Sequence, residues 1–374
     1  MTRTLVIEGS GELWGSERAL LDLLDVLPRT DLAICCPAQM PLNDELNRRR
    51  LLVLPYYVYG LHLKSRWHRL QAALGVLRAC IEFRPDVIYL NQGGAYKVTL
   101  PAAMILDLPL VAHIRIFEDA SYLAKQTPNP RRLRKIIAIS GAIETEVRRF
   151  PQLDSIQLQQ IYDGYTPTAL PFQDVSTQER ALNRLACIGR LVPVKGQDVL
   201  VRALCLLKEL GKPWECLFVG DGEEGFVQNL QDIASRGNAA NSIRWLGFVN
   251  DVIPLLQTCS FLVCPSHREP LGRVIFEAWD AGAVPVVFSG SGGAAEIVSA
   301  AQGGILYKQQ TPISLAEAIR QAVMLDHEQR TCFVNNGRAW MAENCDPESY
   351  GRRLSTILAA AEGTRETHED PYRM

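Results

Sequence analysis

PSHREPLGRVIFEAWDAGAVP, running from Pro265 to Pro285, is the stretch whose reading decides the fold. An apolar run from Phe261 to Cys264 leads into it and predicts a strand, which Pro265-Ser266 breaks. Pro270 is placed to open a helix, since a first turn tolerates proline. The pattern predicts that helix over Leu271 to Ala281, ended by Gly282. Strand, loop and helix in this order put the backbone N–H groups of Leu271, Gly272 and Arg273 at the carboxyl edge of a sheet. Unpaired first-turn donors at such an edge favour phosphate, and Gly272, lacking a Cβ, lets a ligand approach the backbone. Glu269 lies just before the helix and Glu277 eight residues on, two turns inside it. By spacing alone the two carboxylates fit a capping acid and a solvated helix residue as well as a pair that grips hydroxyl groups.

The order Pro265-Ser266, Glu269, Gly272, Val274, Glu277-Ala278, Gly282 and Pro285-Val286-Val287 resembles the signature of family 4 retaining glycosyltransferases of the GT-B fold. The resemblance implies that Glu269 faces the sugar of a nucleotide-sugar donor and that Glu277 binds the ribose hydroxyls. Pro270 stands where the family more often has glycine, and Arg273 is bulkier than its usual counterpart. The segment Gly189-Arg190-Leu191-Val192-Pro193-Val194-Lys195-Gly196 resembles the family's G-R-L-x-x-x-K-G element, which implies that Arg190 and Lys195 hold the donor diphosphate. A cationic pair around a glycine turn at a helix start suits that ligand on physical grounds as well. Gly15-Ser16-Glu17 resembles the family's G-G-x-E loop with serine replacing one glycine, which implies that Gly15 and Ser16 close over the diphosphate. Phe248 and Val249, after Gly247, fall where the family contacts the nucleobase. His113, at the end of the strand Leu110 to Ile114, falls where the family places a histidine facing sugar and acceptor. The match is close from Arg184 to Tyr307 and extends over residues 1 to 165 only in layout.

Around these motifs, apolar strand-like runs alternate with helical patterns. Thr4 to Glu8, Leu32 to Cys36, Leu51 to Leu54, Asp86 to Leu90, Leu110 to Ile114, Lys135 to Ile139 and Gln157 to Tyr162 read as strands of the first half. Arg184 to Ile188, Cys216 to Val219, Ile243 to Leu246 and Val284 to Phe288 read as strands of the second. Such alternation predicts doubly wound parallel sheets. The expected fold class is α/β, GT-B, two Rossmann-like doubly wound domains facing across a cleft. The expected boundaries are an acceptor-binding domain over 1–165, a linker over 166–180, a donor domain over 181–345, a helix over 346–362 crossing back to the first domain, and a disordered tail over 363–374.

Composition excludes several classes. The 374 residues carry 39 basic and 41 acidic side chains, a net charge of −2, and show no nucleic-acid footprint. Residues 1 to 170 hold 20 basic against 17 acidic groups, and the remainder 19 against 24. Ten scattered cysteines, without a C-x-x-C pair, read as reduced core residues. No apolar run reaches membrane-span length and Met1 to Gly9 lacks a leader pattern, so a cytoplasmic protein is expected. The absence of any pair of aspartates two residues apart predicts a reaction without metal, and no cofactor is expected beyond a UDP- or GDP-linked sugar as substrate. The expected partners are that donor and a saccharide or lipid-linked glycan acceptor, in cell-surface polysaccharide biosynthesis. The stretch Tyr56 to Arg84, mixing Tyr56, Tyr57, Tyr59 and Trp67 with Lys64, Arg66, His68, Arg69 and Arg78, fits peripheral contact with anionic lipid as well as a core helix with a solvated basic face. Basic runs at Arg48-Arg49-Arg50 and Arg131 to Lys135 lie in the same half. Two other readings stay open: a catalytically silent nucleotide-binding partner subunit, and an NAD-dependent dehydrogenase. The second rests on Gly9-x-Gly11-x-x-x-Gly15 after the first strand, but the strand ending at Cys36-Pro37 lacks the acidic residue that a nicotinamide ribose requires.

Overall fold

The computed structural model describes residues 2–38, 41–56, 65–126, 132–168, 181–208 and 214–362. Most of the 166–180 stretch, the 363–374 tail, Tyr57, Tyr59, Lys64 and Arg131 lie outside the described residues. The chain divides into two compact units, Met1–Thr166 with Cys345–Met374, and Pro167–Asn344.

The first unit opens with β1 (Thr4–Ile7), α1 (Gly15–Val26), β2 (Leu32–Cys35), α2 (Pro41–Arg48) and α3 (Arg66–Phe83). It continues through β3 (Val87–Leu90), α4 (Tyr96–Ile105), β4 (Leu110–Ile114), α5 (Phe117–Gln126), β5 (Leu133–Ala138), α6 (Gly141–Val147) and β6 (Gln157–Gln160). Its strands form one parallel sheet in the order β2-β1-β3-β4-β5-β6. β1 to β4 are buried along their whole length, which is why they read as unbroken apolar runs instead of alternating ones.

The second unit runs β7 (Ala181–Ile188), α7 (Gln197–Lys208), β8 (Glu215–Val219), α8 (Glu224–Arg236), β9 (Ile243–Trp245), α9 (Ile253–Gln257) and β10 (Cys259–Cys264). It ends with α10 (Arg273–Ala281), β11 (Val284–Phe288), α11 (Gly293–Ala301), β12 (Ile305–Tyr307), α12 (Pro312–Met324) and α13 (His327–Asn344). A second parallel sheet results, ordered β12-β11-β10-β7-β8-β9. The last helix, α14 (Pro347–Glu362), belongs to the first unit, where Tyr350, Leu354, Ile357 and Leu358 pack with Leu20 and Leu24.

Strand order fixes where each sheet opens. In the first unit the order reverses between β1 and β3, and in the second between β7 and β10. The loops leaving those strands diverge to opposite faces, so a crevice forms outside their carboxyl ends. Several local expectations change. Leu51 to Leu54 is not a full strand: the chain touches β2 only through a bridge between Ile34 and Val53. Helices α2, α5, α8 and α9 occupy stretches for which no helix was expected. Eight of the cysteines are buried, whereas Cys205 is half-buried and Cys332 exposed.

Candidate active site

At the carboxyl edge of the second sheet, the four loops after β7, β8, β10 and β11 are stitched together by their backbones. After β7, Gly189 (φ 141°) starts the turn, and the Leu191 N–H donates to the Asp221 carbonyl at 2.8 Å. Gly196 (φ 66°) ends that turn against the Pro265 carbonyl, where a Cβ would collide. The His267 N–H donates to the Val194 carbonyl at 2.9 Å, tying the loop after β10 to the loop after β7. Glu269 then donates from its backbone to the Ser291 carbonyl at 2.5 Å, and Gly293 donates back to the Glu269 carbonyl at 2.8 Å.

This stitching brings two of the expected site residues into contact. Lys195 Nζ lies 2.6 Å from Glu269 Oε2, and Ser266 Oγ donates to the same oxygen at 3.0 Å. The Glu269 side chain is only 10% exposed and that of Lys195 25%. Burial alone would drive the Lys195 ammonium down, but the adjacent Glu269 carboxylate outweighs it and holds the lysine above its ordinary value. The pair is ionic. Arg190 is exposed at the opening of the same turn, its carbonyl held at 2.8 Å by Gln197 Nε2.

The start of α10 differs from expectation. The helix begins at Arg273, not Leu271, because the backbone of Glu269 is committed to the pairing with Ser291 and Gly293 and the chain turns only at Gly272. Gly272 adopts a left-handed conformation (φ 88°), and a Cβ there would meet Ala294 at 2.9 Å. Packing therefore requires glycine at this place whatever binds beside it. Leu271 buries its side chain, Arg273 and Glu277 are half-buried, and Glu277 is the fifth residue of α10, little more than one turn inside. Phe248 is 55% exposed and Val249 half-buried; they follow Gly247, whose carbonyl accepts from the Gly220 N–H at 2.8 Å.

The first unit carries its own polar cluster at the carboxyl ends of β1, β3 and β4. Gly15 and Ser16 are the first residues of α1, behind Trp14, whose N–H donates to Glu17 Oε2 at 3.0 Å. Gln92 Nε2 reaches both Ser16 Oγ (3.0 Å) and Glu17 Oε1 (3.1 Å). Glu8 is fully buried, accepting from the Ser10 N–H at 2.9 Å and from Asn91 Nδ2 at 2.5 Å. Burial, reinforced by nearby Glu17, pushes its carboxyl up to about 8, so it carries a proton at neutral pH. Arg115 donates to Asn91 and grips Asp163 with bonds of 2.6 and 2.7 Å, with Tyr350 of α14 beside them. His113 does not open onto a surface within this unit: its ring is fully buried, Nδ1 lies 2.7 Å from the Tyr89 hydroxyl, and Nε2 has no partner among the described residues. Burial and the Arg115 charge hold its pKa well below the ordinary histidine value, so the ring is neutral.

Asn91, Gln92, Arg115 and Gln197 belong to these arrangements and were not singled out in the sequence. The available signal is a polar residue immediately after an apolar strand, as Asn91 follows β3 and Arg115 follows β4.

The family described as "Glycosyl transferases group 1" matches residues 173–340. LpsE of Rhizobium meliloti, a lipopolysaccharide core biosynthesis glycosyltransferase, is 32% identical over 174 residues, covering 46% of this chain and 48% of its own length. A GDP-mannose-dependent alpha-(1-6)-phosphatidylinositol monomannoside mannosyltransferase of Mycobacterium tuberculosis is 27% identical over 190 residues, covering 48% of each chain. The chain thus spans about half the length of these curated relatives. Among solved structures, HepE of Anabaena in complex with UDP-glucose superposes with a TM-score of 0.81 at 23% identity, covering 96% of this chain and 100% of that one. Its likeness concerns the fold, two parallel-sheet Rossmann-like α/β domains of the GT-B class, as the alternation of elements predicted. Residues 173–340 thus resemble a glycosyl transferases group 1 domain.

Proposed function

We propose that this chain is a retaining glycosyltransferase that moves a hexosyl group from a UDP- or GDP-linked sugar to a hydroxyl of a saccharide or lipid-linked glycan. The observation that carries the reading is the Lys195–Glu269 pair at the switch point of the second sheet, with Arg190 opening the same turn. In this reading Lys195 and Arg190 take the charge that develops on the departing diphosphate, which a dry, cationic site stabilises more than water does. The half-turn around Leu271, Gly272 and Arg273 supplies backbone N–H groups to the same phosphates. Glu269 accepts from a hydroxyl of the donor sugar, and Glu277 from the ribose. Phe248 and Val249 flank the base. In the first unit, Gly15 and Ser16 at the start of α1 are assigned to the donor by the resemblance of Gly15-Ser16-Glu17 alone. His113, buried and neutral, acts behind that surface through its bond to Tyr89. Glycosyltransferases among the relatives, one of them named for lipopolysaccharide core biosynthesis, support the class of reaction and of acceptor.

The test is direct. The purified chain is incubated with a panel of UDP- and GDP-sugars and with lipid-linked saccharide acceptors, and products are read by mass spectrometry and anomeric NMR. A sugar transferred with retained configuration supports the proposal. Binding of UDP or GDP without transfer to any acceptor points to the silent-partner reading, and binding of a nicotinamide dinucleotide in their place overturns it.

A peripheral site of action at the cytoplasmic membrane surface forms part of the same proposal. Helix α3 buries Ala72, Val76, Ala79, Cys80 and Phe83 against the first unit, yet Trp67, Leu70, Leu74 and Ile81 form a second apolar stripe on the opposite face. Arg66 and Arg78 stand exposed along it. No helix among the described residues is long and apolar enough to cross a membrane.

A further inference from the structure

The Glu269 carboxylate is held from one side only. Lys195 Nζ and Ser266 Oγ both bond to Oε2, at 2.6 and 3.0 Å, while Oε1 accepts no hydrogen bond from any described residue. The terminal torsion of a glutamate is broad and roughly two-fold, so a carboxylate without such ties exchanges its two oxygens. Two donors arriving from different loops remove that freedom.

Ser266 is buried and owes its position to the residue before it. The Pro265 carbonyl accepts from Gln310 Nε2, and Gln310 Oε1 in turn accepts from the Tyr307 hydroxyl at 2.6 Å. Tyr307 closes β12 and is itself buried; burial raises its phenol, which stays an O–H donor. The same Pro265 carbonyl lies against Gly196, the residue after Lys195, where any Cβ would collide with it. One carbonyl therefore sets the distance between the turn that carries Lys195 and the loop that carries Glu269.

We propose that Ser266 and Gln310 are positioning residues of the transferase, which fix the Glu269 carboxylate so that Oε1 is presented to a hydroxyl of the donor's sugar. This rests on the reading of the site as a nucleotide-sugar site and adds a division of labour within it. The chain Tyr307, Gln310, Pro265, Ser266 acts on the sugar through Glu269, while the contacts to the diphosphate are made by the Lys195 and Arg190 side chains. Small displacements of a group that orients a reacting centre are costly in rate. A sugar-specific effect is therefore expected from residues that touch neither substrate.

The experiment uses the full chain with Ser266→Ala, Gln310→Ala and Tyr307→Phe, the last of which removes only a hydroxyl. Calorimetry with UDP and GDP measures the nucleotide part of binding. UDP-glucose and GDP-mannose as probes, followed by kcat and KM with the donor that turns over, measure the sugar part. Affinity for the free nucleoside diphosphate is expected to stay within about twofold of the parent. The extra affinity given by the sugar, or kcat, is expected to fall about tenfold in Ser266→Ala, the worth of one hydrogen bond to a charged group, and about fivefold in Gln310→Ala, whose bond is to a neutral carbonyl. Tyr307→Phe should fall in the same direction by less. Equal losses for nucleotide and nucleotide-sugar, or values within twofold of the parent throughout, overturn the assignment. A parent chain that binds neither UDP nor GDP is a different result, because it removes the nucleotide-sugar reading itself before any variant is compared.

Discussion

Lys195 Nζ lies 2.6 Å from Glu269 Oε2, across 74 residues of sequence and between loops that leave opposite sides of a sheet's switch point. Removing either partner has two separable consequences. Lys195→Ala leaves a largely buried carboxylate uncompensated, which destabilises the second unit, and under the proposed function it also removes a charge-assisted phosphate contact of about 1.5–3 kcal/mol. Glu269→Gln keeps the phosphate cation. We expect Lys195→Ala to weaken UDP or GDP binding by about tenfold or more, and Glu269→Gln to leave that binding largely intact while lowering turnover. In the double variant, melting temperature should recover most of what Lys195→Ala lost, without recovery of nucleotide binding. Differential scanning calorimetry beside isothermal titration separates the two effects. Nucleotide affinity that survives in Lys195→Ala would remove the diphosphate assignment.

Glu8 gives the first unit an unusual pH dependence. Its folded pKa of about 8 lies above the ordinary glutamate value of 4.5, so between these values the folded protein holds a proton that the unfolded chain has lost. Stability from Glu8 is complete below pH 4.5 and falls as pH rises towards 8, by about 1.4 kcal/mol per pH unit. Asp119, raised to about 6 by burial, acts in the same sense over a lower range. His113 acts oppositely: its lowered pKa means that its contribution is lost as pH falls below the ordinary value of 6.5. Of these three groups only Glu8 is active between pH 6.5 and 8. Chemical denaturation across that window should show stability falling with pH in the parent, and a flatter curve for Glu8→Gln whatever its absolute stability.

Arg115 Nη1 donates to both carboxylate oxygens of Asp163 in a buried ion pair, to which Tyr350 of the last helix adds its hydroxyl. Asp163→Asn leaves a buried guanidinium without its counter-charge and is expected to cost about 3–5 kcal/mol. Tyr350→Phe loses only long contacts, 3.4 Å to Asp163 and 3.5 Å to Arg115, and should cost about 1 kcal/mol or less. Urea melts of the two variants rank them, and an Asp163→Asn chain as stable as the parent would show that the pair is not what holds Arg115 in place.

Sheet strands were legible because their residues are buried on both faces and read as apolar runs; Leu110–Ile114 was located to the residue. Arg66–Phe83 was legible as a helix, but not as a helix with two apolar faces, because only the fold decides which stripe is covered. The start of α10 was misplaced for a non-local reason, the pairing of Glu269 with Ser291 and Gly293. Arg115, Asp163 and Tyr350 illustrate the same limit in the site. Arg115 is 48 residues from Asp163, and Tyr350 another 187 away, so no local pattern joins them. Arg190, Lys195, Glu269 and Glu277 could be named because they resemble a family's motifs. Ser266 and Gln310 act through partners that only coordinates reveal.

The second apolar stripe of α3 leads to the last prediction. Trp67 is 73% exposed, and with Leu70, Leu74 and Ile81 it recurs on one side of the helix, directly opposite the buried side. An amphipathic surface helix normally leaves that side polar. Apolar side chains flanked by Arg66 and Arg78 suit the boundary of an anionic bilayer, where each favourably placed basic residue contributes about 1 kcal/mol and the attraction is screened by salt. Cosedimentation with phosphatidylglycerol vesicles should therefore be strong at low salt and weaken at high salt. Trp67→Ala should reduce the salt-resistant part and Arg66→Glu with Arg78→Glu the salt-sensitive part. Equal binding to phosphatidylcholine vesicles, or none to anionic ones at low salt, would make a soluble acceptor the better reading and leave the stripe to a protein partner.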